Sequence, residues 1–203
     1  MVRAAAVNPI GPSGLMFLAQ LFRRSPYKDE AHALYALAVQ QARQPAFYAA
    51  CGAPDTLDGR FDLIVVHAFL VLRGLKRGGE VGERTGQTVL EVMFDDMDQN
   101  LREMGVGDLS VGKKVKAMAR AFFGRSKAYA DALEPMAEPS ALESALERNI
   151  YGRDLPEPAR LSALVGYVRA ADAAIAAQAI GEILAGRIAF PPAPHPDVGQ
   201  PAD

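Results

Sequence analysis

The run LIVVHAFLVL, Leu63 to Leu72, constrains this chain more than any other segment. It is half of the ~20 apolar residues needed to cross a bilayer, and Asp62 and Arg73 close it at both ends. The wider stretch from Phe61 to Lys76 is apolar almost all round, which predicts a buried central helix rather than a surface one with a single apolar stripe. The rest of the chain must supply the cover.

The remaining periodicities are helical as well. Ser25-Pro26 starts a helix continued by DEAHALYALAVQQAR, which Pro45 breaks. Cys51 to Gly59 reads as a loop, and RGGEVGERTG, Arg77 to Gly86, as a flexible connection. Thr88 to Met104 follows, with Leu90, Phe94, Met97, Leu101 and Met104 at the spacing of one inward face. Lys113 to Leu133 is next, with Val115, Met118, Phe122 and Phe123 inward. Pro139 to Tyr151, closed by Gly152, and Pro156 to about Leu184 complete the set. No alternating run has strand chemistry. The expectation is an all-α fold, one compact domain of six to eight helices over residues 25–190, with a flexible or peripheral segment 1–24 and a disordered Pro-rich tail 191–203.

Two stretches look like ligand loops. Asp96, Asp98 and Asn100 have the spacing that opens a calcium-binding loop, but glycine is required at its sixth position and glutamate at its twelfth, where Leu101 and Gly107 stand. Gly107 to Gly112 followed by Lys113 has phosphate-loop spacing. The position that needs a hydroxyl for magnesium is Lys114, and a helix precedes it instead of a strand. Gly105 and Gly107 are expected to end one helix, and Asp108 or Ser110 to cap the next. His32, His67 and His195 are scattered, and His67 in its apolar helix reads as a hydrogen-bonded core histidine. Cys51 is the only cysteine, so neither a disulfide nor a cysteine-based zinc site is available within the chain. The expectation is a protein with no cofactor, no metal and no enzymatic activity. With a net charge of −2, no general affinity for nucleic acid, specific DNA included, or for acidic membranes is expected, and any such affinity would have to come from a local patch.

Several elements, namely Asp58-Gly59-Arg60-Phe61-Asp62, Leu101-Arg102-Glu103-Met104-Gly105-Val106-Gly107-Asp108, Val111-Gly112-Lys113-Lys114 and Phe123-Gly124-Arg125, resemble the ubiquinol–cytochrome c chaperone family over roughly residues 31–190. The resemblance implies an all-α assembly chaperone for the cytochrome bc1 complex. Its client would be newly made cytochrome b or another bc1 subunit, met near a ribosome exit and with a small partner protein. No transit-peptide pattern opens the chain, which within this resemblance implies the bacterial form, acting in the cytoplasm or peripherally at the inner membrane.

Two surfaces suit such work. Met93, Met97, Met104 and Met118 surround the motif-bearing helix pair, and methionine makes an adaptable apolar surface. Lys113, Lys116, Arg120 and Lys127 fall on one helical face, expected to bind a partner through charge. Two other readings are a peripheral membrane protein, from LMFLAQLFRR (Leu15 to Arg24), and an enzyme with a site near His67 and Asp62.

Overall fold

The computed structural model describes residues 26–195, and these form an all-α domain. Helices α1 (Lys28–Ala42), α2 (Pro45–Ala49), α3 (Leu57–Leu75), α4 (Gly79–Glu103), α5 (Asp108–Ala132), α6 (Ala141–Leu146), α7 (Pro158–Ala177) and α8 (Ile180–Leu184) follow in chain order. A single 3₁₀ turn, Lys76–Gly78, joins α3 to α4, and a π-turn, Glu147–Tyr151, extends α6. Among the described residues there is no strand.

Helix α3 is the axis. Every residue from Val65 to Val71 is buried, so all sides of the helix are covered, by α1, α4, α5, α7 and α8. It begins earlier than the glycine in Asp58-Gly59 suggests. Thr56 accepts a hydrogen bond from the Gly59 amide at 3.1 Å, and Asp58 lies in the first turn, where the free amides favour negative charge. Gly59 is inside the helix because a Cβ there would stand 2.0 Å from the Pro54 carbonyl oxygen. The loop is therefore residues 50–56, not Cys51 to Gly59.

The expected flexible connection at Arg77 to Gly86 is instead the 3₁₀ turn and the first turns of α4. Glycine serves contact here rather than flexibility: a Cβ at Gly82 would lie 1.9 Å from the Leu75 carbonyl oxygen, so only glycine lets α4 fold back onto the end of α3. Arg77 reinforces the corner by donating to the carbonyls of Ile175, Ala176 and Gln178 at the C-terminal end of α7.

The long helix expected from Pro156 to Leu184 is broken. Gln178 is extended, and its side chain exchanges two hydrogen bonds with the Ala189 backbone, at 2.7 and 2.9 Å. A pairing with residues eleven positions away thus ends α7 and turns the chain into α8. Of the Pro-rich tail, Pro191 to His195 are described and Ala193 packs against the core; residues 196–203 and 1–25, with LMFLAQLFRR, lie outside the described residues.

On α4 the inward stripe is Val89, Met93, Met97 and Leu101, while Leu90 and Phe94 are half-buried and Met104 is 52% exposed. On α5, Phe122 is buried and Val115 and Met118 half-buried, but Phe123 is 41% exposed, with one side of its ring toward Phe94 of α4.

Candidate functional groove

A groove of about 1190 Å³ opens where α3, α4 and α5 meet the π-turn. Leu57, Phe61 and Ile64 line it from α3, Met97, Leu101 and Met104 from α4 and its end, and Lys114, Met118 and Arg125 from α5. Arg148 to Gly152 enter from the π-turn, whose wider winding is closed by Gly152 at φ 63°. One wall is apolar and rich in methionine. The floor and rim are charged.

At the floor, Arg125 approaches Asp62 to 2.9 Å, and its guanidinium carbon lies 5.8 Å from the centre of the Phe61 ring. The structure thus brings Asp58 to Asp62 and Phe123 to Arg125 together. The contact is charge pairing without an aligned hydrogen bond, since Asp62 Oδ1 and Arg125 Nε both lack one. Ser126 Oγ is buried behind them, also without a partner among the described residues, and the buried Tyr129 hydroxyl lies next to Asn149. Burial pushes the Asp62 carboxyl up to about 7, with Arg125 opposing the rise and Asp58 adding to it. On the rim, Arg60 pairs with Asp55 at 2.7 Å, and Tyr35 donates to Asp96 at 2.7 Å.

The two apparent ligand loops are both helical. Asp96, Asp98 and Asn100 lie within α4, and each has its own partner. Asp96 accepts from Tyr35, Asp98 pairs with Arg102, and Asn100 donates to the Asp96 carbonyl. Among the described residues no group of three or more His, Cys, Asp or Glu side chains is arranged to hold a metal ion.

Asp108 to Lys113 are the first turns of α5, not a phosphate loop. Gly105, at φ 79°, ends α4: the amides of Gly105 and Val106 bond the carbonyls of Arg102 and Leu101, the usual closure by a left-handed glycine. Gly107 does not end that helix. It is the N-cap of α5, and neither Asp108 nor Ser110 caps through its side chain. Asp108 instead receives Arg102, which bridges it to Asp98 across the turn. Gly112 is mid-helix with open space around it.

His67 lies outside the groove and is fully buried. Its Nδ1–H donates to the Leu63 carbonyl at 2.8 Å, and its Nε2 accepts from the Tyr167 hydroxyl at 2.9 Å. Gln41 in turn donates to Tyr167 and to the Pro191 carbonyl. Phe47, Tyr167 and Phe190 surround the ring, and burial lowers its pKa to about 4, so it is neutral. Cys51 is buried and its thiol is pushed up to about 11.

Of the four methionines, Met97, Met104 and Met118 line the groove, while Met93 is fully buried and offers no surface. Lys113, Lys116, Arg120 and Lys127 are exposed and do not line it. The Asp62–Arg125 pairing is what sequence reasoning missed. Both residues sit in motifs singled out there, but nothing local links them.

Residues 49–190 match the family model described as ubiquinol-cytochrome C chaperone. The chain is 25% identical over 136 residues to ubiquinol-cytochrome-c reductase complex assembly factor 1 of Xenopus laevis, covering 67% of each. It is 27% identical over 136 residues to the Homo sapiens factor of that name, of which it spans 45%. A crystal structure of the Cbp3 homolog from Brucella abortus is similar with a TM-score of 0.72 at 34% identity, covering 90% of this chain and 98% of that one.

Proposed function

The chain belongs to the ubiquinol-cytochrome C chaperone family, and from that premise we propose that it is an assembly chaperone for ubiquinol–cytochrome c reductase, acting by binding and without turnover. The client in this reading is newly made cytochrome b, held in the groove between α3, α4 and α5. The observation that carries it is the groove's apolar wall. Met97, Leu101, Met104 and Met118 line the groove together with Leu57, Phe61 and Ile64, around a volume of about 1190 Å³ that is offered to an apolar helical segment of the client. Methionine side chains re-pack around different apolar surfaces at little cost, which suits a guest not yet folded.

The charged floor adds selectivity. A guest covering Asp62 and Arg125 removes the last water from that pair, so it must meet them with a matching polar group. No helix among the described residues is long and apolar enough to cross a membrane.

Photocrosslinking in the native cell tests the proposal. A photoreactive residue at Met104 or Met118 is expected to capture a bc1 subunit, and cytochrome b in particular. The same probe at Met136, which is exposed and outside the groove, is not. Capture of unrelated chains only, or equal capture from both places, would overturn the assignment of the groove.

A further inference from the structure

Helix α5 has two exposed sides. At about 100° per residue, Lys114, Ala117, Met118, Ala121 and Arg125 fall toward the groove. Leu109, Lys113, Lys116, Arg120, Phe123 and Lys127 fall roughly a third of a turn away, toward solvent. Between Asp108, which Arg102 occupies, and Asp131, which pairs with Lys127, α5 carries no carboxylate. Lys113, Lys116 and Arg120 make no ion pair among the described residues, in a protein whose formal charge is −2. Apolar side chains stand at the ends of this basic strip, with Leu109 101% exposed and Phe123 41%. Gly112 and Gly124 have nothing above them within 4 Å. The strip is open, cationic and tipped with hydrocarbon.

We propose that this side of α5 is a docking surface for an anionic lipid bilayer. Leu109 and Phe123 enter the headgroup layer, and Lys113, Lys116 and Arg120 rest against lipid phosphates. Charge complementarity selects an anionic partner, and the spacing of the apolar residues selects among the anionic ones. Leu109 and Phe123 are about 21 Å apart along the helix. Protein interfaces concentrate their apolar anchors in one central, dried cluster, whereas here the cations lie between them. A single-stranded nucleic acid would ask for successive aromatic platforms among the cations, and this strip has one aromatic side chain, Phe123, with none between Lys113 and Arg120. A bilayer interface accepts scattered apolar side chains among cations whose aliphatic stems lie along the acyl boundary. The inference does not depend on which protein the groove receives.

The chain contains no tryptophan, so one introduced indole reports alone. L109W in the full chain is expected to shift its emission to shorter wavelength on phosphatidylglycerol–phosphatidylcholine vesicles and not on phosphatidylcholine alone. Added salt should reverse the shift. A matching reporter at Leu155, exposed but outside α5, should not respond. Combining L109W with K113E, K116E and R120E is expected to lower vesicle partitioning by roughly a hundredfold or more, since each cation near an anionic surface counts for about a factor of five. K113Q/K116Q/R120Q should repeat the loss without reversing charge. Circular dichroism confirms the fold of each variant. No shift on anionic vesicles overturns the proposal. So does binding that survives both sets of substitutions, which would place the contact elsewhere in the chain, and so does displacement of vesicles by an RNA oligomer at lower concentration.

Discussion

Arg125 of α5 stands 2.9 Å from Asp62 of α3, and Asp62 carries a carboxyl that burial holds near 7 in spite of that guanidinium. The pair ties the central helix to the one that bears both candidate surfaces. Its side chains are 23% and 8% exposed, so removing one partner leaves the other mostly out of water.

Arg125→Met is therefore expected to destabilise the protein by about 3–5 kcal/mol at pH 8, where Asp62 is largely ionised. At pH 5 the carboxyl is neutral and the loss should shrink. Urea unfolding of both chains at the two pH values checks this. An equal loss at both would mean that Arg125 contributes through packing on Phe61 alone.

The pH profile itself has two opposed contributions. Asp62 has a folded pKa above its ordinary 3.8, so its proton favours the folded state, and that stability is lost as pH rises from about 4 to about 7. His67 has a folded pKa of about 4, below its ordinary 6.5, so its stability is present above pH 6.5 and lost as pH falls toward 4. Asp62→Asn should remove the first slope and His67→Leu the second. Midpoints of urea unfolding from pH 4 to 8 separate them.

His67→Leu should also lower stability by about 1–3 kcal/mol near neutral pH, because the Tyr167 hydroxyl loses its acceptor. Folded protein carrying this change should keep bc1 assembly. Its loss in a stably folded variant would give His67 a direct role.

Glycines in helices should respond oppositely. Gly82→Ala forces a methyl into the Leu75 carbonyl and is expected to destabilise by more than about 2 kcal/mol. Gly112→Ala, with open space around it, should stabilise α5 by roughly 0.5–1 kcal/mol. Thermal unfolding distinguishes the two. Tolerance of Gly112→Ala in assembly would also show that the glycine spacing of the apparent phosphate loop is not used.

Neither calcium nor magnesium–ATP should bind at micromolar concentration, since Asp96, Asp98 and Asn100 lie within α4, Asp108 to Lys113 lie within α5, and the carboxylates among them are already partnered. Isothermal calorimetry checks this, and a stoichiometric heat for either would contradict the helical reading.

What the sequence by itself determined was what depends on local periodicity and chemistry. The apolar run from Leu63 to Leu72 sufficed to make α3 a buried axis, because an all-round apolar helix too short for a membrane has nowhere else to go. The helical setting of Asp96 to Asn100 and the buried, hydrogen-bonded setting of His67 were also readable there, since each followed from the apolar neighbours at helical spacing. Tertiary contact decided the rest. Glycine-rich Arg77 to Gly86 became helix because Gly82 touches the end of α3, and α7 stopped at Gln178 because that side chain pairs with Ala189. Met93 went to the core while Met97 and Met104 reached the groove, a distinction set by which neighbours cover each side of α4. Asp62 and Arg125 met only through packing of α3 on α5. Coulomb attraction and burial act through space, and no spacing along a chain encodes which distant charge will share a dry floor.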